Sequence, residues 1–362
     1  MRGRGRYCGA MDSDAHTAGF PAARVRAVLA SVPARPGLQV LGISGLQGSG
    51  KSTLAAQVVA EAAAAGLSAA CLSLDDVYLD RAARQRLAAG VHPLLATRGP
   101  PGTHDLALAL ATIDALRAGR TVPLPRFDKL ADDRLPAERW PRPQRPLDLL
   151  VLEGWCLGVP AEDNAALVEP VNALEAREDP DGTWRRYCNT ALARDYPALW
   201  ARLDRLWFLQ PPDFQAVYAW RWQQEQALQA ASGRRGMDRP ALERFVQHYE
   251  RVSRQALRTL PGLADAVLRL DHARRVKEGL NNPLCRPDCG IVAPAWRRFR
   301  AGFRPCRAVF GGFPRLTDAL LPSSATNAGA PSTGSTARTA SAPAPRSSPG
   351  RGSAPSCSRT AA

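Results

Sequence analysis

Gly45-Leu46-Gln47-Gly48-Ser49-Gly50-Lys51-Ser52 fits the spacing G-x-x-x-x-G-K-[ST]. Glycines at these places let the backbone wrap, so that several N–H groups converge on phosphate oxygens. A helix opening at Lys51 adds the positive end of its dipole. Lys51 can reach the outer phosphates as a point charge, and the Ser52 hydroxyl can ligate Mg²⁺. Two further stretches, "LSLDDVYL" and "LVLEGW", end apolar runs in acids. Asp75 and Asp76 suit a group that orients or deprotonates a substrate hydroxyl. Glu153 suits a group that holds a water on Mg²⁺. Such acids also serve as helix caps, and which of Asp75 and Asp76 would be the base stays open at this level.

The elements that must position these residues read as alternating strands and helices. "LQVLGISG", "SAACLSLDD", "PLDLLVLEGW", "LDRLWFLQPPD" and "ADAVLRLD" are short apolar runs, buried on both faces if they are strands. Between them lie helical stretches. "KSTLAAQVVAEAAAAG" stops at Gly66, and "RAARQRLAAG" and "HDLALALATIDALRAG" are each closed by glycine. "WRRYCNTALARDYPALWARLD" makes one or two helices. "PPDFQAVYAWRWQQEQALQAA" makes a longer one opened by Pro211-Pro212. "RPALERFVQHYERVSRQALRTL" is entered through Asp238 as N-cap. The pattern predicts an α/β fold with a parallel sheet of about five strands covered by helices on both faces. Ligands of such sheets sit beyond the carboxyl ends of the strands, where the loop and the acids fall. The connecting loops "HPLLATRGPPGTHD", "PRFDKLADDR" and "EDPDGTWRRY" are rich in polar groups. Arg98, His104, Asp105, Arg126, Asp128, Lys129, Arg185 and Arg186 are candidates there for a small anionic substrate, although any single arginine more often makes a surface ion pair.

The formal charge of +15 on 362 residues invites a nucleic-acid reading, but the charge sits at the ends. Residues 273–362 hold 14 Lys and Arg against 3 Asp and Glu, and the first ten residues hold three Arg and no acid. Residues 11–272 are left with a net charge of +1. No specific nucleic acid is expected as a partner; a basic tail binds polyanions weakly and without selectivity. No apolar run reaches the roughly 18 residues of a membrane span. "MRGRGRYCGA" has no apolar core behind it, so it is not read as a secretory signal. The eight cysteines are scattered, and "CRPDC" is half of a zinc pattern without a second half. A cytoplasmic setting, a small-molecule partner and a monomer or homodimer are the expectations. Three regions are expected: an N-terminal arm (1–20), a folded domain (21–272), and a basic low-complexity tail (273–362). From Ser323 the tail is almost wholly Ser, Ala, Thr, Pro, Gly and Arg, which cannot bury enough surface to fold. A tether to a nucleic acid or membrane surface is one reading of it; a passive extension or the product of a reading-frame shift near Arg274 is favoured.

Residues 25–272 resemble the D-glycerate 3-kinase family, within the wider group of uridine kinase, phosphoribulokinase and pantothenate kinase. The resemblance rests on "GLQGSGKST", "LSLDDVYL", "RGPPGTHD", "PRFDK…DDR", "LEGWCLG", "PVNALEAREDPDGTWRRYCN", "FLQPPDF…VYAWRWQQE" and "MDRPALERFVQHYE" in this order. It implies a P-loop NTPase fold, ATP and Mg²⁺, and transfer of the γ-phosphate to a hydroxyl of a small acid, D-glycerate above others. Asp75 in "SLDDVY" matches the acid beside the acceptor hydroxyl; Val77 departs from the aromatic usual at its place. Glu153 matches the Mg²⁺-linked acid, with Ser52 as the other metal residue. The implied ATP set is Gly45, Gln47, Gly48, Ser49, Gly50, Lys51, Ser52 and Thr53, with Arg221, or Arg234 and Arg235, in the lid region. The implied substrate set is Asp76, Tyr78, Arg98, His104, Asp105, Arg126 and Arg186. Two other readings stay open: a kinase of the same group acting on uridine, a sugar phosphate or pantothenate, and an ATPase switch with no acceptor.

Overall fold

The computed structural model describes residues 19–232 and 236–277. Most of the expected arm and tail lies outside the described residues, as do Arg234 and Arg235. Five strands form one parallel sheet: β1 (Gln39–Gly45), β2 (Ala69–Ser73), β5 (Leu149–Gly154), β6 (Arg205–Gln210) and β7 (Ala266–Arg269), in the order β2-β5-β1-β6-β7. Side chains alternate across it as a strand requires. Val40, Leu150, Leu152, Leu206 and Phe208 point into one core, and Leu41, Ile43, Leu149, Val151, Trp207 and Leu209 into the other. Helices α1 (Ala22–Ala30) and α2 (Lys51–Ala64) cover the second face through Val25, Val28, Leu54 and Val58. The first face is covered by α4 (Leu106–Arg117), α6 (Thr183–Arg194), α7 (Pro197–Trp200) and α9 (Arg239–Leu263). Each fully buried Leu or Val on these faces is worth about 1.5–3 kcal/mol relative to exposure. This double cover is why the strands carry no polar stripe.

The expected strands and helices are present, with three differences. The edge strand β2 is only half buried, because it has one neighbour in the sheet. Helix α8 (Gln215–Ser232) does not open at Pro211-Pro212; Asp213 accepts from the Ala216 N–H at 2.9 Å and sets the start three residues later. The stretch "PRFDKLADDR" is not an open loop. It forms a two-stranded antiparallel ribbon of β3 (Phe127–Asp128) and β4 (Asp133–Arg134). Strands of two residues are too short to show a period of two. Helices α3 (Arg81–Gly90) and α5 (Ala173–Glu178) complete the set.

Strand order decides where a ligand goes. From β1 the chain crosses to β2 on one side, while β6 pairs with β1 on the other. The crevice above such a reversal is the ligand position of open α/β sheets. In register, Glu153 on β5 lies between Ile43 on β1 and Ser73 on β2. Three carboxyl ends thus bring the glycine-rich loop, Glu153 and the Asp75-Asp76 turn to one rim.

Candidate active site

The loop between β1 and α2 is built as a phosphate cradle. Gly48 has φ +78°, and a Cβ there would lie 2.6 Å from the Trp220 Cβ. Gly50 has φ +89° and ends the loop in the left-handed region. Neither place tolerates an L side chain without strain. Helix α2 starts at Lys51 with no side-chain cap, so its first N–H groups are left for a ligand. The Gln47 amide and the Ser49 hydroxyl are buried and lack a hydrogen-bond partner among the described residues. Orphaned polar atoms beside an uncapped helix start fit a polyphosphate. Lys51 donates to the Leu46 carbonyl at 3.1 Å, folded back across the loop. Burial pulls its pKa down, and Glu153 and Asp75 push back. Ser52 Oγ donates to Glu153 Oε1 at 3.0 Å. A hydroxyl and a carboxylate in contact at the rim are the oxygen donors a hard divalent cation takes, so Ser52 and Glu153 fit Mg²⁺. Thr53 is half-buried in the first turn of α2.

Asp75 and Asp76 are neighbours in sequence but have separate surroundings. They lie in the 3₁₀ turn Leu74–Val77, capped by Ser73, whose hydroxyl accepts from the Asp75 N–H at 3.2 Å. Asp76 turns back into the scaffold. It accepts from the Ser73 and Phe127 N–H groups at 3.4 and 3.3 Å and from Arg126 Nη1 at 3.2 Å. Burial raises its pKa against the pull of Arg126. Asp75 faces the loop instead. It accepts from the Tyr78 hydroxyl at 2.6 Å and from Lys129 Nζ at 2.8 Å. Burial alone would raise its pKa, but the charge and hydrogen bond of Lys129 hold it below the usual carboxylate range. Basicity therefore points to Asp76 and geometry to Asp75. Geometry favours Asp75, because two of the three partners of Asp76 are backbone N–H groups fixed in the scaffold.

The other candidates fall into two groups. Tyr78 and His104 stay beside Asp75. The Tyr78 ring stacks between His104, at 4.9 Å, and the edge of Phe127, at 5.2 Å. His104 Nδ1 is 2.6 Å from the Tyr196 hydroxyl, and its Nε2 is buried without a partner among the described residues. Burial lowers its pKa to about 4, so the ring is neutral at pH 7. Arg98 pairs with Asp132 and lies over the Phe127 ring. Scaffold bonds claim the rest. Arg126 holds Asp76 and the Cys71 carbonyl. Asp105 caps α4 through the Leu108 N–H and holds Arg134, so both its oxygens are in use. Arg186 is exposed and donates to the Asp181 carbonyl, and no contact among the described residues ties it to the rim. Arg185 is buried and pairs with Asp179. Arg221 lies next in chain to Trp220, bonds Gln224, and sits 5.9 Å over the Phe245 ring.

Three residues at the rim escaped the sequence reading as site residues. Trp155 follows Glu153-Gly154, and its indole N–H has no partner among the described residues. It meets the edge of Tyr249 at 5.0 Å, and Tyr249 donates to the Arg98 carbonyl at 2.9 Å. Asp132, at φ +55°, pins the ribbon turn to Arg84 and Arg98. Aromatic residues on strand ends and long helices read as core, which is why Trp155 and Tyr249 gave no signal.

No protein-family model matches the chain. It is 34% identical over 220 residues to the uncharacterized kinase mug58 of Schizosaccharomyces pombe, covering 58% of this chain and 78% of that protein. It is 32% identical over 238 residues to the chloroplastic D-glycerate 3-kinase of Arabidopsis thaliana, covering 61% of this chain and 48% of the relative, about half its length. Among solved structures it is similar to the D-glycerate 3-kinase of Cryptococcus neoformans, with a TM-score of 0.58 and 25% identity over 72% of this chain and 97% of that one.

Proposed function

The chain belongs to the D-glycerate 3-kinase family of P-loop kinases, and from that membership and the rim just described we propose that it phosphorylates a hydroxyl of a small organic acid, D-glycerate, to give 3-phosphoglycerate. The observation that carries the acceptor side is the Asp75 carboxylate, held ionised by Lys129 next to the phosphate loop. An ATPase switch needs no second anchored carboxylate facing its loop.

The residues divide the work as follows. The loop from Gly45 to Thr53 binds the phosphates of ATP through backbone N–H groups, and Lys51 offsets charge on the phosphoryl group in transit. Ser52 and Glu153 would hold Mg²⁺, which supplies charge neutralisation on the phosphates when bound. Asp75 accepts a hydrogen bond from the acceptor hydroxyl and aims its oxygen at the γ-phosphorus. An acid of lowered pKa is a weak base, but phosphoryl transfer passes through a loose transition state in which the proton leaves late. Orientation is then the main service of Asp75. The hydroxyl oxygen bonds to phosphorus as the bond to ADP breaks, and the proton passes to Asp75. Arg221 lies on the helix whose Trp220 touches Gly48, a position that supports a role at the phosphates.

Turnover of ATP with a panel of D-glycerate, glycerol, uridine, pantothenate and no acceptor tests the reading. D-glycerate is expected to exceed uridine by well over tenfold in kcat/KM. Equal or better use of uridine or pantothenate sinks the glycerate assignment. Hydrolysis unaffected by any acceptor sinks the kinase assignment in favour of a switch.

A further inference from the structure

Lys129 stands at the start of the ribbon turn, and the ribbon is fixed on every side. Asp76 holds β3 through Arg126 and the Phe127 N–H. Asp132 holds the turn to Arg84, a fully buried arginine, and to Arg98. Asp128 Oδ1 accepts from the Leu130 and Ala131 N–H groups, at 2.9 and 3.1 Å, and closes the turn. Asp133 accepts from the Arg81 N–H, and Arg134 bonds Asp105 and the Tyr78 carbonyl. A hairpin with two residues per strand does not hold itself in water. This one is held from outside, and what it presents to the rim is one ammonium group.

That ammonium occupies a place the acceptor needs. Asp75 has one oxygen on the Tyr78 hydroxyl and the other on Lys129. Each oxygen could accept a second donor, but an acceptor hydroxyl reaches Asp75 from its exposed side, which Lys129 holds and the buried Tyr78 does not. Tyr78 is 3% exposed and wedged between two rings, so it stays. The Lys129 side chain is 59% exposed on a four-carbon stem, so it can leave. Its backbone is pinned, so the displaced charge stays within a stem's reach of Asp75. Lys51 lies close enough to repel it. A displaced cation at a rim that already holds another needs an anion.

We propose that Lys129 selects an acidic acceptor by exchange: the acceptor hydroxyl replaces the ammonium on Asp75, and the acceptor carboxylate receives the ammonium. This rests on the kinase reading above and deepens it. The acid restores the ion pair that its own hydroxyl breaks, whereas a neutral polyol breaks it with no return. A hydrogen bond between charged groups is worth enough to separate two otherwise similar substrates by about a hundredfold.

The test compares D-glycerate with glycerol, which keeps the hydroxyls and lacks the carboxylate, in the wild type, Lys129→Met and Lys129→Arg. Methionine keeps the stem and removes the charge. The wild type is expected to favour the acid by about a hundredfold in kcat/KM. In Lys129→Met that ratio falls to within a few fold of one, chiefly through a rise in KM for the acid. In Lys129→Arg most of it survives. Melting temperature and the Kd for ATP stay near wild type in both, which separates loss of selection from loss of fold. If the wild type prefers the acid and Lys129→Met keeps that preference, the exchange is overturned while the kinase reading stands. If the wild type phosphorylates no acid, the acceptor reading fails, and the exchange fails with it.

Discussion

Two charge clusters in this molecule each set acids against one cation and differ in how they are closed. In the first, Arg251 on α9 reaches Glu175 and Glu162. All five of its N–H donors are used: two on Glu175, at 2.8 and 2.6 Å, and one each on Glu162, the Ala166 carbonyl and the Glu169 carbonyl. Glu175 has no exposed surface and also accepts from the Val171 N–H. In the second, Asp75 is paired with a lysine that is more than half exposed, beside a buried tyrosine hydroxyl. Unpartnered polar atoms do not separate the two regions by themselves. Among the described residues Trp184 Nε1 and His248 Nε2 have no partner near α9, and His104 Nε2 and Trp155 Nε1 have none at the rim. What separates them is the exchangeable partner. A charge network that saturates itself is scaffold, and one that leaves a movable cation on an anchored carboxylate has room for a ligand.

Substitution should split the clusters along this line. The largest effect is expected from Asp75→Asn: turnover lower by roughly two to four decades, with ATP affinity and melting temperature nearly unchanged. A collapse of ATP affinity would move Asp75 to the metal site. Damage from Asp76→Asn with a mild Asp75→Asn would reverse the choice within the pair. Arg251→Met should do the opposite, lowering stability by about 3–5 kcal/mol in denaturant titration, because Glu175 is left buried and unpaired. Turnover per folded molecule should hold, and a selective loss of turnover would put Arg251 in the site. Lys51→Ala comes next, with kcat lower by roughly a hundredfold, the scale of a lost transition-state contact of about 3 kcal/mol. Near-normal turnover there would remove the loop from the chemistry.

Each region also buries one histidine, which extends the comparison to pH. His104 at the rim and His248 on α9 both have pKa values lowered by burial to about 4, against an ordinary 6.5. The folded protein keeps both rings neutral down to about pH 4, while the unfolded chain protonates them near 6.5. Between these values the unfolded state binds more protons, so stability is full above about pH 6.5 and falls as pH drops toward 4. Each ring contributes up to about 3 kcal/mol to that fall. His104→Gln and His248→Gln should each flatten the curve of melting temperature against pH in this window. An unchanged slope in both would mean that the rings charge freely in the folded state.

Much of this was legible in sequence because it rests on local chemistry. The loop announces itself by spacing, the five strands by apolar runs, and the cap Asp238 by an acid before a helical period. The site was legible as a set of residue types and not as an arrangement. Asp75 and Asp76 are indistinguishable in the chain, and only the 3₁₀ turn sends one to the loop and the other to β3. Arg126 and Asp105 read as substrate groups because their partners, Asp76 and Arg134, lie 50 and 29 residues away. The ribbon escaped notice because it has no period and no core of its own. Its position depends on Arg84, a helix residue that gives no outward sign of being fully buried.

The smallest expected effect tests where the rim's support ends along the chain. After β7 the backbone turns back on itself: the Asp271 N–H donates to the Arg275 carbonyl, and the Lys277 N–H donates to the Arg269 carbonyl. Val276 bridges to Leu270 and packs on the core beneath α2. The His272 carbonyl accepts from the Trp220 indole at 2.8 Å, and Arg274 lies 5.5 Å over that ring. Trp220 is the residue against which Gly48 of the phosphate loop is packed. A chain ending at Asp271 loses these contacts, and with them one half-buried valine and the brace on Trp220. It should be less stable by about 1–2 kcal/mol and bind ATP a few fold more weakly. A chain ending at Lys277 keeps all of them. What it loses, residues 278–362, is mostly Arg-rich, Pro-rich and Ser-rich sequence without apolar periodicity. Its melting temperature and turnover should match those of the full chain. Loss of either in the longer truncate would show that residues beyond Lys277 complete the domain. Equal behaviour of both truncates would show that the turn at 272–277 does not brace the loop.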